Sequence, residues 1–242
     1  MDSTTTAPAP RGVDAGRGVS WWTDAWALFM KNWGMWIVLG LIFIIVCIVL
    51  SVIPLLGGLA TALLTPVFVG GWMLAARKQE GGTAIEVNDL FLGFKDQLNP
   101  LLVLGALSLA ATLVVVIVMS VFGLGFGALM AFGMGGHGAG GALAGAGTAL
   151  LALLVGMALF VPITMAFWFA PALVVFEGTA PVEAVKASFA ACLSNIMPFL
   201  IYGVLGLVAS IVASIPFGLG WIALLPVMLL TIHVSYRDIF GR

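Results

Sequence analysis

The sequence predicts an all-α integral membrane protein with six transmembrane helices, arranged as three hairpins, each preceded by an amphipathic helix on the cytoplasmic surface. Three observations predict this class. Apolar residues fill 62% of the 242 positions and charged residues only 8%, against roughly half and roughly a quarter in soluble domains. Several apolar runs of about 18 residues or more carry no charge, as membrane-crossing helices do, and they lack the strict alternation of barrel strands. The nineteen Asp, Glu, Lys and Arg residues fall into four patches: the N-terminus through Lys31, Arg77 to Asp96, Glu177 to Lys186, and Arg237 to Arg242.

Ionised side chains avoid hydrocarbon, so the charge-free gaps count the crossings. Two crossings between successive patches give six helices and put every Lys and Arg on one face. The positive-inside rule makes that face cytoplasmic, with both termini inside. The net charge of -1 gives no bulk attraction for nucleic acid. The expected partners are the lipid bilayer and either another membrane protein or a second copy of the chain.

Residues 1–16, MDSTTTAPAPRGVDAG, are polar and Thr/Ala/Pro-rich and read as a disordered cytoplasmic tail. They do not read as a cleaved signal peptide, because the first apolar run starts late and lacks a small-residue cleavage site. Residues 17–242 read as one polytopic membrane domain. Its first element is a surface helix over Arg17–Asn32, in which Trp22, Trp26, Phe29 and Trp33 step by four, three and four to form an aromatic stripe. Such a stripe anchors a helix at the headgroup layer; recognition of lipid or partner is its functional counterpart.

The first span covers about residues 33–53, roughly 31 Å of helix. Pro54 and Gly57–Gly58 turn the chain, and the return span of about 59–76 ends at Arg77–Lys78. Pro66 within it is a candidate kink, and Gly70–Gly71 allow close helix approach. Thr83 and Glu86 form a capping box, opening a second surface helix with Val87, Leu90, Phe91 and Phe94 on one face. Asn99–Pro100 starts the third span, about 99–122.

Residues 123–147 hold eleven glycines and the lone His137. Glycine this dense predicts a flexible outer loop, and His137 has no Cys, Asp or Glu nearby with which to hold a metal. The fourth span, about 148–176, is long and contains Pro162 and Pro171, so a kinked or tilted helix is expected. Thr179, Pro181 and Glu183 supply the cap, first-turn proline and dipole complement of a third surface helix, with Val182, Val185, Phe189 and Cys192 on its apolar face. The spans of about 196–215 and 221–235 complete the six.

Asn32, Asn99 and Asn195 each follow a surface helix and precede a span with a glycine a little way in, at Gly40, Gly105 and Gly203. The first and third runs both end in Ile-Pro, and both return spans carry a proline, Pro66 and Pro226. The pattern reads as three copies of one unit in the same orientation.

No catalytic constellation is visible. G-x-S-x-G, H-E-x-x-H and P-loop patterns are missing from the sequence, and neither cofactor nor metal is expected. Cys47 and Cys192 are not expected to pair. Glu177, at the exit of the fourth span, and His233, near the end of the last, are the weak functional candidates; the ordinary roles are a membrane boundary and a lone histidine without a carboxylate beside it. The candidate interfacial or partner surface comprises Trp22, Trp26, Phe29, Phe91, Phe94 and Phe189. Thr65, Ser108, Thr112, Thr164, Ser210, Ser214 and Thr231 would line a path if one existed, and helix packing is the ordinary role of each.

The segments AGRGVSWWTDAWALF, IPLLGGLATALLTPVFVGGWMLAA, DLFLGFKDQL and FAPALVVFEGTAPVEAVKASFAACLSN together resemble a family of uncharacterised bacterial membrane proteins known by a locus-tag name of the BPSS series. The resemblance covers the chain from Ala15 onward, apart from the glycine-rich stretch. The third unit is also distantly similar to the membrane domain attached to some glycerophosphodiester phosphodiesterases, without any catalytic residues of those enzymes. The resemblance implies an inner-membrane location and supplies neither biochemical role nor site residues. The expected function is therefore a non-enzymatic inner-membrane protein that organises envelope components; the alternative is a channel or carrier for neutral or lipid-like solutes.

Overall fold

A computed structural model describes residues 7–54, 56–95, 97–133 and 139–241. Among these the chain is helical, with no strand: α1 (Arg17–Met30), α2 (Trp33–Ser51), α3 (Leu56–Glu80), a 3₁₀ helix (Val87–Phe94), α4 (Leu98–Gly133), α5 (Ala139–Trp168), α6 (Ala170–Glu177), α7 (Pro181–Ser194), α8 (Ile196–Ser214) and α9 (Trp221–Phe240). Six segments are long and apolar enough to cross a membrane: Trp33–Ser51, Leu56–Glu80, Leu98–Val121, Ala149–Glu177, Ile196–Ser214 and Trp221–Phe240.

The chain forms two compact units, Met1–Ala106 with Met165–Arg242, and Leu107–Thr164. The first contains a core of fully buried large side chains, among them Trp21, Trp36, Trp72, Phe169 and Tyr236. Within it α1 packs on α8 and α9, α2 on α3 and α9, and α3 on the 3₁₀ helix and α6. The pairing of α3 with the 3₁₀ helix is close because two glycines permit it: a Cβ on Gly71 would lie 2.2 Å from the Leu90 carbonyl oxygen, and one on Gly93 would lie 2.1 Å from that of Val67. Packing by the Gly70–Gly71 pair is thus the observed role. In the second unit, Leu113, Val114, Ile117, Leu150, Leu153 and Phe160 are exposed, an apolar surface suited to hydrocarbon.

The glycine-rich stretch differs from expectation. Backbone helix continues through Gly133 and resumes at Ala139; residues 134–138, including His137, lie outside the described residues. Glycine costs about 1 kcal/mol per residue in a water-exposed helix, but an unsatisfied amide in hydrocarbon costs several, so the helical hydrogen bond prevails.

The long fourth span is broken rather than bent. Pro162 is accommodated inside α5, whereas the chain stops at Trp168 and restarts with Pro171 in the first turn of α6. Ser188 on α7 patches the break: its hydroxyl accepts the Phe169 amide at 2.9 Å and donates to the Met165 carbonyl at 2.7 Å.

Two expected caps fall one element earlier. The Thr83 amide closes the end of α3 on the Lys78 carbonyl at 3.1 Å, with Gly82 at φ 81°. The 3₁₀ helix is opened instead by a capping box of Glu86 and Asp89, in which Asp89 accepts the Glu86 amide at 2.7 Å. Likewise Gly178, at φ 64°, ends α6, and the Thr179 amide reaches the Leu173 carbonyl at 3.4 Å. Ala180 is the N-cap of α7, and the Thr179 hydroxyl is buried without a hydrogen-bond partner. In both places the Thr serves to finish the preceding helix.

Asn32 and Asn195 each take a non-helical conformation before a helix of 19 residues. Asn99 lies inside α4 and is exposed, so the middle stretch departs from the pattern of the other two.

Candidate functional site

Three helix ends meet in the first unit. The last turn of α3 brings Arg77 and Glu80 to one side. Phe176 and Glu177 close α6. On α9, His233, Tyr236 and Arg237 share a face, spaced three and four residues apart. Together with Gly81 these residues line a cleft of about 380 Å³.

Glu80 is the hub. Its Oε2 lies 2.9 Å from His233 Nε2, and its Oε1 accepts a hydrogen bond from Arg237. The His233 side chain is 5% exposed, and its Nδ1 is buried with no hydrogen-bond partner. The Tyr236 hydroxyl donates to Glu177 Oε1 at 3.0 Å. The Arg77 guanidinium lies over the Phe176 ring at 5.2 Å, a cation–π seat; among the described residues no carboxylate is within ion-pair distance of it. Phe176 also contacts the rings of His233 and Tyr236, at 5.8 and 5.2 Å.

The structure therefore brings the two weak candidates, Glu177 and His233, to one cleft. It also corrects the expectation that His233 lacks a carboxylate neighbour: Glu80 is that neighbour, contributed from 153 residues away. Arg77, Glu80, Tyr236 and Arg237 were missed as a group. The signal that could have found them is that each lies at a predicted membrane exit.

The opposite side of α9 holds the N-terminal segment. Asp238 Oδ2 accepts from Arg17 Nε at 2.5 Å and from Trp21 Nε1 at 2.9 Å. That hydrogen bond pushes the Arg17 pKa up, against burial, with the Asp238 and Asp24 charges adding to the rise. Arg11 donates its amide to the Ile239 carbonyl at 2.9 Å. Asn195, 1% exposed, accepts from the Val13 amide at 2.8 Å and donates to the Arg11 carbonyl at 3.1 Å. Within the segment expected as a disordered tail, Arg11 and Val13 are thus held by α9 and Asn195; residues 1–6 lie outside the described residues.

The aromatic stripe is not one exposed face. Trp26 is 50% exposed, but Phe29 is 3% exposed and belongs to the core. Trp22 is half-buried, stacked on Tyr202 at 5.0 Å. The packed face of α1 is instead Trp21, Ala25 and Leu28, and Trp21 finds a half-buried acceptor in Asp238. Phe91 is 37% exposed and Phe94 half-buried; both pack on Phe68, at 6.0 and 5.2 Å. Phe189 is half-buried, and the packed side of α7 is Ala184, Ser188, Ala191 and Cys192.

A family model described as Domain of unknown function (DUF7847) matches residues 25–236. A Burkholderia thailandensis protein named as a probable inner membrane protein is 30% identical over 199 residues, covering 80% of this chain and 73% of that protein. No solved structure matches the chain.

Proposed function

The chain belongs to the DUF7847 family, a domain of unknown function, and from that premise we propose that it is a multi-pass inner-membrane protein that organises envelope components without itself catalysing a reaction or conducting a solute. In this reading its charged patches and both termini lie on the cytoplasmic side, and the helices ahead of the first, third and fifth spans lie along that surface. The named inner-membrane relative supports the location, and six span-length helices support the multi-pass form. The likeness of the third unit to phosphodiesterase membrane domains is taken only as architecture, with no phosphodiesterase activity proposed.

The observation that carries the reading is how the polar side chains of the spans are used. Thr65, Thr112, Thr164, Ser210 and Ser214 each donate to a carbonyl four residues back on their own helix, at 2.7 to 3.0 Å. Thr231 donates to the Met228 carbonyl at 2.6 Å and meets the Tyr202 hydroxyl at 2.9 Å. Hydroxyls bonded to their own helix are satisfied without a solute, and the Thr231–Tyr202 contact joins α9 to α8; both uses favour packing over the lining of a solute path. At the helix ends, Glu80 with His233 and Arg237, and Glu177 with Tyr236, tie α3 to α9 and α6 to α9.

Purified protein in liposomes tests this directly. The reading expects no uptake of glycerol or glucose above empty vesicles and no turnover of vesicle phospholipid. Flux abolished by Thr231→Val would establish the carrier instead, and phospholipid turnover abolished by His233→Ala would establish an enzyme.

A further inference from the structure

We infer that the cleft between α3, α6 and α9 is a binding site for a phosphate-bearing headgroup, recognised by Arg77. The inference rests on the reading that these helix ends lie at the cytoplasmic headgroup layer. Three features carry it. Arg77 is exposed and lines the cleft without a carboxylate in ion-pair distance among the described residues, whereas its neighbour Arg237 is neutralised by Glu80. The guanidinium is held in place by the Phe176 ring at 5.2 Å, so little side-chain freedom is lost when an anion arrives. Arg237, although paired with Glu80, is 45% exposed at its side chain and adds a second guanidinium to the same lining.

The chemistry follows from these groups. An arginine fork matches phosphate oxygens through two parallel N–H donors. The lining balances Arg77 and Arg237 against Glu80 and Glu177; with Glu80 engaged by His233 and Arg237 and Glu177 by Tyr236, Arg77 is the cation placed to meet a headgroup phosphate. A cleft of about 380 Å³ has room for a headgroup, and the acyl chains would remain along the apolar flanks of the helices. Both a phospholipid and a soluble phosphate ester present this chemistry.

The test uses the full-length protein in non-ionic detergent micelles, where native mass spectrometry counts bound molecules. The probes are phosphatidylglycerol, diacylglycerol with the same chains, and free glycerol phosphate. The expectation is retention of phosphatidylglycerol and not of diacylglycerol, about tenfold weaker retention in Arg77→Gln, and only partial recovery in Arg77→Lys, which restores the charge but not the two-donor fork. If Arg77→Gln does not fold, Phe176→Leu removes the aromatic seat while keeping an apolar residue, and weaker retention is expected there too. Displacement of the lipid by glycerol phosphate would assign the site to the soluble ester and still uphold phosphate recognition at Arg77. Equal binding of diacylglycerol, or wild-type retention in Arg77→Gln, would overturn the inference. Micelles have no sides, so this result is independent of the chain's orientation in the membrane.

Discussion

Glu80 Oε2 lies 2.9 Å from His233 Nε2, which joins the last turn of α3 to the final helix through a His side chain that is 5% exposed. The same carboxylate holds Arg237 through its other oxygen. An amide in its place offers one acceptor oxygen to two donors and no charge to Arg237. Glu80→Gln is expected to lower stability by about 2 kcal/mol, read as a drop in melting temperature in detergent. His233→Ala should cost a similar amount, and the double variant less than the sum of the two. Additive losses would mean that the pair is not coupled.

Ser188→Ala removes the hydroxyl that accepts the Phe169 amide and donates to the Met165 carbonyl. Phe169 is fully buried, so water cannot replace the lost acceptor. A destabilisation of about 1–3 kcal/mol is expected, larger than for Ser194→Ala, whose exposed hydroxyl bonds only its own helix. Comparison of the two melting temperatures checks the assignment; equal values would refute it.

Asn195→Ala breaks the hydrogen bonds to Val13 and Arg11 that dock the N-terminal segment. The segment has few other anchors, chiefly Arg11 with Ile239 and Asp238. Limited trypsin digestion should then cut after Arg11 several-fold faster than in wild type, because proteolysis tracks local opening. Unchanged cleavage would show that Asn195 is not the fastener.

Cys192 lies on α7 and burial pushes its thiol pKa up to about 12. The thiolate is the reactive form, so at pH 8 about one thiol in ten thousand is ionised. The sign is clear: reactivity should rise tenfold per pH unit and stay low across the physiological range. Maleimide labelling of Cys47→Ser protein should be slow when folded and fast in denaturant. Rapid labelling of the folded form at pH 8 would contradict the burial.

The six helices were legible because exclusion of charge from hydrocarbon leaves a mark in the linear sequence, as the gap from Lys31 to Arg77 shows. The helix ends were less so. Thr83 and Thr179 have the composition of N-caps, but each stands right after a left-handed glycine, Gly82 or Gly178, and its amide is claimed by the helix before it. The cleft was half legible. Glu177 and His233 drew notice singly, while Glu80 belongs with them only through packing of α3 on α9. The docked N-terminal segment left no trace in composition, because its fasteners, Asn195 and Ile239, lie far along the chain and bond to backbone atoms.

The central claim, that every charged patch lies on one cytoplasmic face, is tested most directly by cysteine accessibility in cells, in a Cys47→Ser background. Lys186, 65% exposed at its side chain, belongs to the charged face, and Phe217, 101% exposed, to the turn between α8 and α9. A membrane-impermeant maleimide should label Phe217→Cys in intact spheroplasts and Lys186→Cys only after lysis. Labelling of Lys186→Cys in intact spheroplasts, with Phe217→Cys protected until lysis, would contradict the account.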